Sequence, residues 1–96
     1  MPLWKFIWDD WNIAHIARHN VTPPEVEAVA SGTYVLLSAR MARSMMLGQT
    51  PAGRFLAIVL YPKEADRYYV ISARDADRKE RQLYWHWIEI GGENTV

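Results

Sequence analysis

The run Phe55–Tyr61 (FLAIVLY) is apolar at nearly every position. A strand without polar alternation needs cover on both faces, so this segment reads as the central strand of a sheet with protein packed on either side. Three further strand-like runs accompany it: TYVLLSA from Thr33, RSMMLGQT from Arg43 and RYYVISA from Arg67. Thr50–Gly53 (TPAG) is a tight turn, so residues 43–50 and 54–61 are expected to pair as a hairpin. Pro62–Asp66 (PKEAD) is the next loop and implies a meander.

Ahead of these runs the hydrophobic period is helical. WKFIW (Trp4–Trp8) reads as a short strand, and DDWNIAHIARHN follows as a helix. Asp9 or Asp10 can cap it, Ile13, Ile16 and Ala17 fall at helical spacing, and Asn20 is a left-handed terminator. VTPPEVEAVASG carries a full start signal, with Thr22 as N-cap, Pro23 at the first helical position and Glu25 closing a capping box. Val21 and Val26 have the spacing of a hydrophobic staple, and Gly32 ends the segment. After Ala73 a last helix begins. Asp77 and Glu80 form another capping-box pattern, so that helix should start at Arg78, with Leu83 and Trp87 facing inward. The order β-α-α-β-β-β-β-α describes an α+β domain: an antiparallel sheet of about four to five strands, two N-terminal helices and one C-terminal helix.

Ninety-six residues, half of them hydrophobic, are enough for one domain (1–96) with a core, and exclude the profile of a disordered segment. No cysteine is present, so disulfides and thiolate metal sites are excluded. No apolar run approaches the length needed to span a bilayer, and no signal-peptide pattern opens the chain, so a cytoplasmic, soluble domain without a membrane partner is expected.

Net charge is zero, but it is unevenly spread. Residues 1–39 carry two cations and four acids (−2), residues 40–81 nine cations and five acids (+4), and residues 82–96 two acids (−2). An anionic partner should therefore meet the middle and late chain. That region contains ISARDADRKERQLY (Ile71–Tyr84), where Arg74, Arg78, Lys79 and Arg81 are threaded with Asp75, Asp77 and Glu80. Cations in the first turn of a helix oppose its dipole. Either the three acids offset them on a solvated face, or a phosphate sits at the helix start, held by N–H groups and by Arg74, Arg78 and Arg81. Glu80 is a capping residue, a general base for a ribose 2′-hydroxyl, or both. Tyr84 is a phenol donor or half-buried packing.

His15 and His19 share one helical face, with Asn12 a turn before His15. Two such histidines can begin a zinc site, but a third ligand is missing and no acidic motif accompanies them, so no metal or other cofactor is expected. His19 suits the negative end of its helix, and His15 is a candidate acid–base group. There is no P-loop, GxGxxG, GxSxG or HExxH pattern.

Taken together these segments resemble a family. WDDWNIAHIARHNV resembles the opening W-D-x-x-N-x-x-(K/H)-x-x-x-H-G-V signature of BrnT-type toxins, with Asn20 in place of the usual Gly. EVEAV resembles its second-helix motif, LGQTPAGRFLAIV its central hairpin, and ISARDADRKERQLY its closing I-S-A-R-x-A-x-R-K-E-R-x-x-Y element. The similarity runs from Trp8 to Tyr84. Residues 31–43 do not follow the charged insert common in the family, and residues from Trp85 onward fall outside it.

The resemblance implies a RelE-like α+β fold and a metal-independent ribonuclease toxin of a type II toxin–antitoxin system, neutralised by a ribbon-helix-helix antitoxin. Carried onto this chain, it implies Arg74, Arg78, Glu80 and Arg81, with His15, as catalytic positions. Arg54, Lys79, Tyr84 and His19 would contact the RNA substrate. RNA cleavage without a metal needs a base for the 2′-hydroxyl, cations on the phosphate oxygens and an acid for the 5′-oxygen. Two other readings stand beside this one. The first is a non-catalytic RNA- or protein-binding module on the same scaffold. The second is a homo-oligomer assembled through the Trp-rich ends PLWKFIW and LYWHWIEI.

Overall fold

The structure, a computed structural model, describes residues 4–91. Five strands and three α-helices follow the expected order: β1 (Lys5–Ile7), α1 (Asp10–Ala17), α2 (Pro23–Ala30), β2 (Tyr34–Ser38), β3 (Ser44–Gln49), β4 (Phe55–Pro62), β5 (Arg67–Asp75) and α3 (Arg78–Gly91). A single 3₁₀ turn, Glu64–Asp66, joins β4 to β5.

Strands β2 to β5 form the expected antiparallel meander. The sheet order is β1-β5-β4-β3-β2, and here the structure departs from an all-antiparallel sheet: β1 lies at the edge parallel to β5, with Lys5 opposite Arg67 and Ile7 opposite Tyr69. The reason is connectivity. The two helices between β1 and β2 carry the chain over one face of the sheet and return it at the far edge, leaving β1 free to run alongside β5.

β4 occupies the centre, as its composition requires. Alternation sends Leu56, Ile58 and Leu60 into a core with Ile16 of α1, Val21, and Val26 and Val29 of α2. Ala57 faces the other way, into a second core with Val35, Leu47 and Tyr84 of α3. A bulge between Val59 and Leu60 restores this alternation to β5, where Val70 and Ala73 both enter the first core. Gly48 lets α2 sit close on the sheet: a Cβ there would lie 2.9 Å from Val29 Cγ1 and 3.1 Å from the Thr33 carbonyl.

The first Trp-rich end is absorbed into this architecture. Trp4, Phe6 and Trp8 pack against the first core, Trp4 Nε1 donates to Tyr34 Oη at 3.1 Å, and Trp8 Nε1 donates to Glu27 at 2.9 Å. β1 and β2 are opposite edges of the sheet, so the Trp4–Tyr34 contact means that the sheet curls strongly around the first core. Pro2 and Leu3 of that segment lie outside the described residues. At the other end Trp87 and Ile88 are half-buried, while Trp85 and Ile90 are 48% and 63% exposed.

Helix starts follow local spacing. Asp9 caps α1 and accepts from the Asn12 N–H at 2.9 Å, and the Thr22 N–H donates to Glu25 at 3.0 Å. Asn20 has φ 59°, the left-handed terminator expected. The inward phase of two helices differs from expectation. Asn12 is fully buried whereas Ile13 is exposed, and Tyr84 rather than Leu83 faces the core.

Candidate functional site

The TPAG turn closes through Gly53 N–H donating to the Thr50 carbonyl at 2.8 Å, with Gly53 at φ 94°, where a residue without Cβ fits. This delivers Arg54 to the start of β4, opposite the end of β5. Arg54 Nε donates to the Asp75 carboxylate at 2.8 Å, Nη1 to Glu25 at 3.2 Å and Nη2 to the His19 carbonyl at 3.0 Å. Nη1 also reaches the Asn20 carbonyl. Arg54 therefore ties the end of α1, the first turn of α2 and the end of β5 together. All three of its guanidinium nitrogens are engaged within the fold.

β5 then runs into α3 through Ala76, whose N–H donates to the Phe55 carbonyl at 2.9 Å. Asp77 and Glu80 form the expected capping box, with the Glu80 N–H donating to Asp77 at 2.8 Å and the Asp77 N–H to Glu80 Oε1 at 2.9 Å. The same Glu80 carboxylate receives two parallel bonds from Arg74, Nη1 to Oε1 and Nη2 to Oε2, both 2.8 Å. Arg74 Nη1 also donates to the Asp75 carbonyl at 3.2 Å. Glu80 thus serves as cap and as ion-pair partner together. The Arg74 bonds, and the Asp77 N–H after them, hold its carboxyl below the usual range despite burial, which acts the other way.

Of the two arrangements left open by the sequence, acids offsetting the cations or arginines converging on one anion, the junction shows the first for Arg54 and Arg74. Arg74 is matched by Glu80, Arg54 by Asp75 and Glu25, and Arg81 turns back so that Nη1 donates to the Ala76 carbonyl at 2.8 Å. Arg78 and Lys79 are exposed in the first turn of α3 with no carboxylate within ion-pair distance among the described residues. Five cations (Arg54, Arg74, Arg78, Lys79, Arg81) meet four carboxylates (Glu25, Asp75, Asp77, Glu80), so the junction is close to neutral, with its unmatched charge on the α3 side. The Arg74 side chain keeps 39% exposure beside a Glu80 that keeps 14%. Solvent, and any incoming anion, reaches the pair from the arginine side.

The remaining candidates sit elsewhere. Tyr84 is 5% exposed, packed edge-on to Phe55 with ring centroids 4.9 Å apart, and its hydroxyl reaches the Thr33 carbonyl at 3.4 Å. Burial raises its pKa, so it is a core residue with a weak polar tether. His15 stacks on Trp11 at 4.8 Å, on the helix layer opposite α3. His19 enters the cluster through its carbonyl, and its ring is exposed. Among the described residues no three His, Asp or Glu side chains are grouped to share an ion.

Sequence reasoning missed Asp75 and Glu25. Asp75 links the two arginines, accepting Arg54 on its carboxylate and Arg74 on its carbonyl. No local spacing announces the contacts these acids make with Arg54: the one to Asp75 depends on the register between β4 and β5, and the one to Glu25 on where α2 lies against β4.

A curled five-stranded sheet with two helices on one face and one on the other is the architecture of a solved ribonuclease toxin. That protein is BrnT of Brucella abortus, known from its crystal structure: the two folds superpose with a TM-score of 0.62 at 24% sequence identity, over 78% of this chain and 99% of the toxin. The fold is therefore the one inferred from the sequence resemblance. No protein-family model and no curated protein sequence matches the chain.

Proposed function

We propose that this protein is a metal-independent endoribonuclease toxin of the BrnT type, acting on RNA in the cytoplasm and neutralised by a ribbon-helix-helix antitoxin. The observation that carries the reading is the doubly hydrogen-bonded Arg74–Glu80 pair at the start of α3, in a fold shared with a ribonuclease toxin. A phosphodiester presents the same two-oxygen face to a guanidinium as a carboxylate does, so it can take the place of Glu80 on Arg74. Arg78, Lys79 and Arg81 supply the surrounding positive charge. Displaced from Arg74, Glu80 recovers the basicity that the ion pair suppresses.

The chemistry then balances with one carboxylate. Glu80 takes the 2′-hydroxyl proton, the 2′-oxygen attacks phosphorus, and the bond to the 5′-oxygen breaks. The same carboxyl group returns the proton to that leaving oxygen. The products are a 2′,3′-cyclic phosphate and a 5′-hydroxyl. Arg74 stabilises the charge that builds on the phosphorus oxygens.

The test is cleavage of single-stranded RNA by the purified protein in the presence of a chelator. Arg74→Gln and Glu80→Gln are expected to lower the rate by roughly a hundredfold or more, in the range of a lost transition-state donor or general base. Single Gln substitutions at Arg78, Lys79 and Arg81 should have smaller effects. A rate for Arg74→Gln within about twofold of the parent, below any such loss, rejects the site. A second reading, a non-catalytic binding module, draws on the same neutralised arginines. RNA binding without cleavage by the unsubstituted protein would select it.

A further inference from the structure

Helix α3 packs over β2, β3 and the Phe55–Ala57 end of β4, leaving the β5–β1 side of the same sheet face and the Tyr61 end of β4 without helix cover among the described residues. Strand alternation fixes which side chains point there. Tyr61 and Tyr69 are register partners on β4 and β5, and both project to this side. Next along the sheet, Lys5 of β1 pairs with Arg67, two positions before Tyr69. Lys63 Nζ lies 5.4 Å from the Tyr61 ring centroid. Arg74 stands on the same side, five β5 positions beyond Tyr69, or roughly 15 Å along the strand.

No β1, β4 or β5 position that points to this side carries a carboxylate. The nearest acids are Asp9, whose two oxygens accept the Tyr69 hydroxyl at 3.1 Å, and Glu64 and Asp66 in the connecting turn. The Asp9 bonds fix the Tyr69 ring. Tyr61 is 37% exposed and Lys5, Lys63 and Arg67 are exposed, so packing does not account for Tyr61 or for three cations at this place, while Tyr69 is half-buried and held by Asp9.

We infer that this open side is a platform for single-stranded RNA, continuous with the Arg74–Glu80 site. Bases stack on Tyr61 and Tyr69, and the phosphates run past Lys5, Arg67 and Lys63. The inference rests on the ribonuclease reading for the identity of the strand. A single strand fits the chemistry better than a duplex, whose bases offer no free ring faces to the tyrosines.

The experiment is fluorescence anisotropy of the full chain with a single-stranded 2′-O-methyl RNA of about ten nucleotides, within the span of a small single-strand-binding fold. This probe lacks the hydroxyl needed for cleavage. Tyr61→Ala is expected to weaken binding roughly tenfold, and Tyr61→Phe, which keeps the ring, to restore it. The double substitution Lys5→Gln with Arg67→Gln should flatten the dependence of log K on log salt by about 1.4, from two lost phosphate contacts on a single strand. Arg40→Gln, in the β2–β3 turn, serves as the control that changes neither quantity.

Unchanged affinity and salt slope in both platform variants, with circular dichroism of the parent, would overturn the inference. So would equal binding of a duplex. A protein partner lost on Tyr61→Ala while the RNA affinity stays constant would reassign the surface to that partner. Failure of the ribonuclease reading shows separately: unmodified RNA would then stay intact, whatever the 2′-O-methyl strand does.

Discussion

Asn12 Nδ2 in α1 donates to the Val70 carbonyl on β5 at 3.1 Å, across a sequence separation of 58 residues. The same nitrogen donates to the Ile7 carbonyl at 2.9 Å, and Oδ1 accepts the Asp9 N–H at 2.9 Å. One fully buried amide thus holds β1, α1 and β5 together. Asn12→Ala should lower stability by about 2–4 kcal/mol, because buried carbonyls lose their donor. Asn12→Asp should lower it further, since an acceptor would then face two carbonyl oxygens. Urea denaturation of the two variants checks the ranking, and equal midpoints would refute it.

Arg54 is expected to matter for the fold rather than for the chemistry. Its partner Asp75 has a 69% exposed side chain, so that ion pair contributes little, and the bonds to Glu25 and to the His19 carbonyl carry most of the effect. Arg54→Gln should cost about 1–2 kcal/mol in stability. RNA cleavage per folded molecule should stay within about twofold of the parent, as for a group making no transition-state contact. A large loss of cleavage with unchanged stability would place Arg54 on the substrate.

Tyr84 separates packing from chemistry in one substitution. Tyr84→Phe removes only a hydroxyl with a 3.4 Å contact and should cost less than about 1 kcal/mol, with cleavage retained. Tyr84→Ala opens the second core and should cost about 3–5 kcal/mol. Thermal unfolding and cleavage rates of the pair decide the matter. An inactive, stably folded Phe variant would make the phenol a participant.

Glu80 gives the fold a pH dependence of definite sign. Its carboxyl is held below the ordinary value of 4.5, first by the Arg74 bonds, so the folded state binds its proton less readily than the unfolded chain does. The stabilisation is therefore fully present above the unfolded-state value and is lost as pH falls through the folded-state value. Glu80→Gln keeps a capping acceptor but not the charge. The stability gap between parent and variant should be constant near neutrality and shrink below about pH 4.5, the unfolded carboxyl range. Denaturation midpoints across acidic pH report it, and a gap that widened on acidification would contradict the sign.

The features legible in the sequence were those written at short range. The Thr22–Glu25 and Asp77–Glu80 boxes needed only a three-residue spacing, and the TPAG turn and the meander needed only local turn chemistry. Asp9 and Asn12 have the same spacing, so half of Asn12's role was within reach; its bond to Val70 was not, because that depends on where α1 lies on the sheet. Leu83 and Tyr84 are neighbours in a helix, and only the angle at which α3 leaves β5 chooses between them. The candidate site divides along the same line. Composition located the cluster of arginines at the β5–α3 junction, but the pairing of Arg74 with Glu80 and of Arg54 with Asp75 came from tertiary geometry. Charge counting records cations without recording which acids quench them.

The parallel edge between β1 and β5 also orders events during synthesis. Lys5, Phe6 and Ile7 emerge from the ribosome long before the strand beside which they will lie, and Asp9 waits 60 residues for Tyr69. The meander can assemble from neighbours as they appear, whereas the aromatic segment of β1 has no sheet partner until β5 has been made.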